Sequence, residues 1–530
     1  VYKRQIQVSF NFVTQTVADN SICIVKVTND DGTYALYSAL AVTNPSLNLA
    51  NFSATSDMNT ARRAPCAVAG DAAPGARFVY AIGGDDGNTQ ESTATTYYDT
   101  IEMAAIDPYG DLGQWNILPY TLPAPRSFHA CTTIGRYVFV AGGNGGAGAV
   151  DTVWRAKILD PEEAPEITDV DLRVEAESSA VLLPGRYSYR VSALRPAGDP
   201  ENPGGETLAG DPLLIQTPDI DEQIIITITW EAVPGSTGYR IYRTPDPDMP
   251  GGSEVQIGEV PGTDLTFTDD GTAVPGTGVP LPLGALGEFY VLPSMGTARE
   301  GAGIAWATDP ADGDQKYLYM LGGRDENAAG LSSLERLDIQ IQGDGTQQIA
   351  AQWVMGGADI GPARWQLQAW VADDQTAPDI LASGETWIYA GGGIRDDLQF
   401  MQPEMVALLV EAGGALGESV DCRFAVDDMQ PFKAGYAGAT FNNQIFAFGA
   451  TMGNASTESA SIELCPVGGA CSMSIPDPPD LANWNNLGIN LTVARYLLGG
   501  VTVSAFIFLV GGVDDGAPAA PLAATEKTLW

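Results

Sequence analysis

The chain has 530 residues, of which 66 are acidic and 26 basic, for a formal net charge of −40, although only 17% of its residues are charged at all. A surface this acidic repels phosphate backbones and anionic lipid, which argues against nucleic acid and membrane surfaces as partners. Its 61 glycines and 35 prolines punctuate short apolar runs, and long amphipathic helical patterns are missing, so the expected class is all-β.

The opening VYKRQ is given no weight, and no secretory leader is legible. TYALYSAL (33–40) is the first clear strand signal. Three landmarks then follow and recur. MNTAR ends in a cation at Arg62, FVYAIGGDDG (78–87) runs a hydrophobic strand into paired glycine and charge, and DPYGDLGQW (107–115) is a glycine turn between two more strands. The second round reads LPAPR to Arg126, YVFVAGGNGG (137–146) and KILDP (157–161), and there the pattern stops. It resumes at LGALGEF (283–289), then MGTAR to Arg299 and YLYMLGGRDE (317–326). IGPAR to Arg364, WIYAGGGIRDD (387–397) and EAGGALGE (411–418) form the next round, followed by MQPFK to Lys433, QIFAFGATMG (444–453) and CPVGGAC (465–471). LTVAR to Arg495 and FIFLVGGVDDG (506–516) come last, before ATEKTLW (524–530).

Gly83, Gly142, Gly322, Gly391, Gly449 and Gly511 are separated by 59, 180, 69, 58 and 62 residues. A fixed spacing means one supersecondary unit used repeatedly, and the long gap means an insertion. YLLGGVTVSAFIFLVGGV (496–513) is uncharged and long enough for a spanning helix, but it keeps the repeat register and holds four glycines, so two buried strands are expected. Within the insertion, GRYSYRVSAL (185–194) and IIITITWEAVPGSTGYRIYRT (224–244) alternate as strands do.

The double glycine closing a hydrophobic strand, the G-x-L-G-x-W hairpin and the L-P-x-P-R lead-in together resemble the kelch-type β-propeller. The fifth unit departs from the pattern, with Gly449-Ala450 and Lys433. The resemblance implies four-stranded blades, a to d from the axis outward, with strand b apolar on both faces because blades pack on either side. The charge after the glycines is then expected in solvent. Six blades are expected, the last completed by N-terminal strands such as 33–40, which would remove free edges. Seven blades are the alternative, if residues 6–40 form a degenerate unit. TWEAVPGSTGYRIYR (229–243) resembles the B and C strands of a fibronectin type III domain, with Trp230 in the inter-sheet core. YSYRVSALRPAGDPENPGGE (187–206) resembles the F–G hairpin but comes first, so either the strand order is permuted or the class is more broadly immunoglobulin-like. The expected organisation is propeller over 1–161, β-sandwich over 162–283 and propeller over 284–530. The sandwich replaces the tip of a c–d hairpin, where insertions are tolerated, at the end away from the cations.

The cations Arg62, Arg126, Arg299, Arg364, Lys433 and Arg495 are expected near the axis. They read either as an anion site for a carboxylated sugar or as scaffold paired with neighbouring carboxylates. Loop-tip acids Asp85, Asp86, Asp396, Asp397, Asp514 and Asp515, with Asp325 and Glu326, suit Ca²⁺ or are solvated loops; no cofactor is required. The single histidine, His129, excludes multi-histidine zinc sites and a copper site of the galactose-oxidase type, and is expected in an inner strand with a satisfied hydrogen bond. Cys465 and Cys471 are expected to bridge a hairpin. Cys66 and Cys131, four and five residues past their arginines, are expected to face opposite ways and stay unpaired. Asn51, Asn454 and Asn490 head glycosylation sequons.

The expected function is that of a secreted or cell-surface, non-enzymatic binding or assembly protein without a membrane span. The sandwich would be a lateral arm for protein, glycan or copies of the chain itself. The alternatives are a carbohydrate-active enzyme, hydrolase or lyase-like, using the basic-ring face, and by analogy a virion or appendage component. Two carboxylates and aromatic platforms at the channel mouth would favour the enzyme. Arginines engaged by their own carboxylates would favour the platform.

Overall fold

The computed structural model describes residues 21–28, 34–42, 49–89, 93–175, 182–220, 222–376, 381, 383–395, 405–417, 420–421, 434–441, 444–449, 461–466, 485–504, 506–514 and 519–529, and the structural statements below concern these. The chain is all-β and built of small antiparallel sheets. β1 (Ser21–Thr28) and β2 (Tyr34–Val42) pair only with each other. β3 (Ser53–Ala54) is held over for the last sheet. The first four-stranded sheet is β4 (Cys66–Ala73), β5 (Ala76–Ile82), β6 (Ile101–Ile106) and β7 (Asn116–Ile117), in chain order. The second begins with β8 (Ala130–Ile134), β9 (Tyr137–Ala141) and β10 (Val153–Lys157).

There the chain departs through a short 3-10 turn at Pro161–Glu163 and builds two sheets of its own. β11 (Ile167–Glu175), β12 (Gly185–Leu194), β13 (Leu213–Thr217), β14 (Gln223–Trp230), β15 (Gly238–Arg243), β16 (Val255–Pro261) and β17 (Thr266–Asp269) follow in sequence. They sort into β11-β14-β17 and β13-β12-β15-β16 around one apolar core, where Trp230 meets Tyr239 edge-on at 5.4 Å. The chain then returns and completes the second sheet with β18 (Tyr290–Leu292), whose partner is β10.

The third sheet has β19 (Gly303–Asp309), β20 (Asp312–Leu321), β21 (Ser333–Ile341), β22 (Gln347–Ile349) and β23 (Val354–Asp359), the last two both on β21. A two-residue ladder of β24 (Arg364–Trp365) precedes β25 (Gln368–Asp373) and β26 (Thr386–Gly391), and its partner is β27 (Ile394–Arg395). β28 (Met405–Leu409) and β29 (Val420–Asp421) complete the fourth sheet. The fifth is β30 (Ala437–Phe441), β31 (Gln444–Phe448), β32 (Ser461–Pro466) and β33 (Asn485–Asn490). In the sixth, β34 (Arg495–Tyr496) pairs β37 (Val513–Asp514), while β35 (Gly499–Val503), β36 (Phe506–Val510) and β38 (Thr525–Leu529) are finished by β3. The uncharged run at 496–513 is therefore strand and turn, as expected, and no helix among the described residues is long and apolar enough to cross a membrane. An N-terminal strand does complete the last sheet, but it is Ser53–Ala54. Residues 34–42 pair elsewhere, a correction to the expected 33–40.

The packing explains the sequence pattern. The first strands touch in a closed cycle: β4 with β8, β8 with β19, β19 with β25, β25 with β30, β30 with β35, and β35 with β4. Second strands alternate their contacts. Tyr80 and Ile82 of β5 pack toward the second sheet, while Val79 and Ala81 pack toward the sixth. On β36, Ile507 and Leu509 face the fifth sheet, and Phe506, Phe508 and Val510 face the first. Fully burying a large apolar side chain is worth about 1.5–3 kcal/mol. Five in a row outweigh the roughly 1 kcal/mol conformational cost of each glycine that follows.

Three outer hairpins share one geometry. Ile106 bridges Leu112 and Gly113 N–H donates to Ala105 O at 2.8 Å; Val410 bridges Leu416 and Gly417 N–H donates to Leu409 O at 2.8 Å. In the second sheet Ile158 bridges Leu286 and Gly287 N–H donates to Lys157 O at 2.8 Å, although more than a hundred residues intervene there. Gly284 lies over Phe78 as Gly110 lies over Phe506 and Gly414 over Tyr317, where a Cβ would come within 2.7 Å of a ring atom.

Candidate functional site

The recurring arginine and double glycine are one device. Arg62 Nη1 donates to Gly83 O (2.7 Å) and Thr100 O (3.0 Å), and Nη2 donates to Thr100 Oγ1 (2.8 Å) and Glu102 Oε1 (3.0 Å). Arg299 repeats this with Gly322 O (2.8 Å), Ser333 O (2.9 Å) and Glu335 Oε1 (2.9 Å). Arg495 uses Ala524 O (2.7 Å), Gly511 O (3.1 Å) and the Glu526 carboxylate. Arg364 reaches Gly392 O at 3.3 Å. In the second sheet no carboxylate follows: Arg126 bonds Gly142 O (2.8 Å) and Thr152 Oγ1 (2.9 Å) and lies 3.6 Å from the Trp154 ring centre. The carboxylates also order the lead-in loops. Glu102 accepts from Asn59 N–H (2.6 Å) and Thr60 N–H (3.0 Å), and Glu526 from Thr492 N–H (2.6 Å) and Val493 N–H (3.1 Å).

The backbone carbonyls of four of these arginines are used by the preceding sheet. Gly84 N–H donates to Arg126 O, Gly143 to Arg299 O, Gly323 to Arg364 O and Gly512 to Arg62 O, at 2.7–2.9 Å. Gly83 and Gly84 have φ of +58° and +94°, and a Cβ on Gly83 would sit 2.6 Å from Arg126 O. In the fourth unit the corresponding pair is Gly392 and Gly393, one residue later than the sequence count from Gly391.

These findings favour the scaffold reading of the recurring cations over the anion ring. Arg62, Arg126, Arg299, Arg364 and Arg495 are almost completely buried and spend Nη donors within their own sheets, while the Nε of Arg62, Arg126 and Arg299 finds no partner among the described residues; Lys433 lies outside them. Burial pulls the pKa of Arg62 and Arg495 down against the pull of their carboxylates, and brings Arg126 down to about 10, which leaves Arg126 cationic at neutral pH.

Among the described residues, the loop-tip acids Asp85, Asp86 and Asp514 belong to no group of three or more metal-ligating side chains. Asp85 is fully buried and salt-bridged to Arg63 at 2.6 Å, so the first charge after that glycine pair is not in solvent, while Asp86 beside it is half-buried. Asp86 accepts from Thr95 N–H (2.7 Å) and Thr96 N–H (2.9 Å), and Asp514 lies opposite Arg495 in the β34–β37 ladder. Among the described residues no group of three or more metal-ligating side chains occurs; Asp396, Asp397 and Asp515 lie outside them. So do Asn454 and Cys471, and of Cys465 only its place in β32 is described. Asn51 and Asn490 are exposed.

Cys66 and Cys131 form a disulfide, with Cα atoms 6.0 Å apart, against the expectation that they stay unpaired. The two side chains do leave their strands in opposite directions, and that is what brings them together. β4 and β8 belong to neighbouring sheets that pack face to face, and such sheets present opposite faces to each other. Side chains one register apart therefore meet.

That disulfide borders the space enclosed by the six first strands. One cavity of about 150 Å³ is walled by Cys66, His129, Gly303, Gln368, Gly438 and Gly499, and a second of about 420 Å³ is walled by Ala69, Thr133, Trp370, Thr440 and Thr502 among others. Among the described residues no carboxylate lines either. His129 stands just before β8. Burial, helped by Arg126, brings its pKa down to about 3, and the Ile82 backbone opposes this only in part. Neither ring nitrogen finds a partner of hydrogen-bonding geometry, so the imidazole is neutral but not satisfied as expected.

A third, open hollow of about 660 Å³ lies where the first hairpins of the sixth, first and second sheets turn. Arg77, Arg136, Asp71, Thr133, Thr502 and Ser504 line it. Arg77 donates to Ser504 Oγ at 2.6 Å, and Arg136 donates to Ala72 O at 2.9 Å and pairs with Asp160 at 3.2 Å. Cations with accessible surface meet hydroxyls here, which suits an anionic or hydroxyl-rich ligand. Sequence reasoning passed over this hollow because Arg77 and Arg136 stand in strand-turn positions outside the recurring landmarks. The signal available was the rarity of basic residues in so acidic a chain.

No family model matches the chain, and no curated protein matches it. Among solved structures, one titled "Structure of YjhT" aligns over 88% of this chain and 95% of that chain at 11% identity, with a TM-score of 0.39. A likeness of that strength carries no argument about fold or function.

Proposed function

We propose that the chain is a six-bladed, kelch-type β-propeller over 1–161 and 284–530, carrying a fibronectin type III-like sandwich over 162–283, and that it is a non-enzymatic binding and assembly platform outside the cell. The closed cycle of first strands, the last sheet finished by β3 and the Gly512–Arg62 hydrogen bond support the ring. The preserved Ile158–Leu286 bridge supports insertion at a hairpin tip. The sheets β11-β14-β17 and β13-β12-β15-β16 have the A-B-E and G-F-C-C′ neighbours of the fibronectin class, with the F–G pair moved ahead of B, which supports the permuted alternative. The Cys66–Cys131 disulfide supports an oxidising compartment.

One observation carries the platform reading over the enzyme: the recurring arginines are committed to their own backbone and carboxylates. The hollow beside Arg77 and Arg136 is then the contact face for an anionic glycan or protein. The test incubates the full chain with immobilised neutral and uronic polysaccharides, scoring both retention and release of reducing ends. Retention that falls on Arg77→Ala/Arg136→Ala substitution, with no release, is expected. Release of reducing ends would overturn the platform reading in favour of a carbohydrate-active enzyme.

A further inference from the structure

β11 is an edge strand of unusual character. Among the described residues its only strand partner is β14, so its other edge is unpaired. Val170, Leu172 and Val174 lie opposite Ile228, Ile226 and Ile224 of β14 on the core side of the sheet. The three isoleucines are fully buried, whereas the β11 residues are 39%, 36% and 49% exposed. The strand thus overhangs the sandwich with half its apolar row uncovered. It has neither proline nor lysine, and after Asp169 no bulge, the devices by which natural edges are protected. Asp171 and Arg173, on the opposite face, are exposed and, among the described residues, ion-pair with each other alone, at 3.4 Å.

Val170-Asp171-Leu172-Arg173-Val174 is also self-complementary about its centre. An antiparallel partner centred on Leu172 sets Leu172 against the partner's Leu172, Val170 against the partner's Val174, and Asp171 against the partner's Arg173. Paired strands keep both apolar rows on one face, and a two-fold axis repeats each contact. We infer that β11 pairs edge to edge with β11 of a second copy of this chain, continuing the β11-β14-β17 sheet across a two-fold axis. This names a partner for the assembly reading and rests on it only in assigning the sandwich arm to contacts. The outermost pair, Asp169 with the partner's Glu175, is like-charged, and each body carries −40. Pairing therefore strengthens as salt shortens the Debye length, from about 10 Å at 0.1 M to about 3 Å at 1 M.

Sedimentation velocity of the full chain across that salt range tests the inference. The expected result is a monomer–dimer equilibrium shifting to dimer with salt. At fixed salt, Leu172→Lys, Asp171→Arg and Arg173→Asp should each weaken the dimer about tenfold, because each places like charges opposite one another. The double variant Asp171→Arg/Arg173→Asp should restore it, since the swapped charges again meet their opposites. Asp171 and Arg173 are exposed and Leu172 less so at the sheet edge, so circular dichroism is used to confirm that each variant keeps the fold. A monomer at every salt concentration, a dimer indifferent to the single variants, or failure of the double variant to recover would each overturn the inference. A monomer that releases no reducing ends sinks this pairing and leaves the platform standing; a dimer that releases them does the reverse.

Discussion

The backbone N–H of Gly512 donates to the carbonyl of Arg62 at 2.9 Å, joining the last sheet to the first. The same bond links the first sheet to the second, the second to the third and the third to the fourth. It needs positive φ at the donor and the absence of a side chain, which makes the second glycine of each pair a sensitive position.

Gly512→Ala is expected to destabilise the chain by about 2 kcal/mol or more, through strain at a left-handed residue. Its φ is +98° and its Cβ would meet Tyr496 O at 2.7 Å. Gly357→Ala is the control, because nothing lies within 4 Å of its Cβ; it should stay within about 0.5 kcal/mol. Urea midpoints of the two variants decide the matter.

Glu102→Gln keeps the shape of the side chain but leaves the buried Arg62 guanidinium without its countercharge. Breaking such a pair from one side costs about 3–5 kcal/mol, so a large fall in urea midpoint is expected. Arg126→Met should cost less, because no carboxylate is stranded there; the cation rests on Trp154.

Cys66 and Cys131 are separated by 65 positions in sequence, and closing a loop of that length stabilises by about 4 kcal/mol on the chain-entropy account. Non-reducing peptide mapping should recover the two cysteines in one linked peptide, and reduction should lower the thermal midpoint. Cys66→Ser/Cys131→Ser should show a smaller shift of the midpoint on reduction than the parent chain.

His129 gives a pH prediction with a definite sign. Its folded pKa, about 3, lies below the ordinary histidine value, so between pH 6.5 and 3 the unfolded chain binds the extra proton. The neutral form's stability is fully present above the unfolded pKa and is lost as pH falls, by about 1.4 kcal/mol per pH unit in the lower part of that window. As the single histidine, it can be isolated by His129→Gln, whose urea midpoint should fall less between pH 7 and pH 4 than that of the parent chain.

The all-β class and most strand positions were readable by themselves, because they depend on local rules. Alternating or continuous apolar runs make strands, and glycine marks the turns between them. Trp230 in the sandwich core and the buried strands at 496–513 were legible on the same grounds. Only the tertiary structure decided what the charged and sulfur-bearing residues do. Arg62 was visible as a recurring cation, but its commitment to Glu102 depends on a strand 40 residues on, brought alongside by the sheet. Asp85 looked like an exposed loop tip until Arg63 was found folded over it. Cys66 meets Cys131 because neighbouring sheets face each other, a relation between sheets that the register within one strand cannot express. Local sequence sets which way a side chain leaves its strand; the partner waiting there is set by how the sheets are stacked.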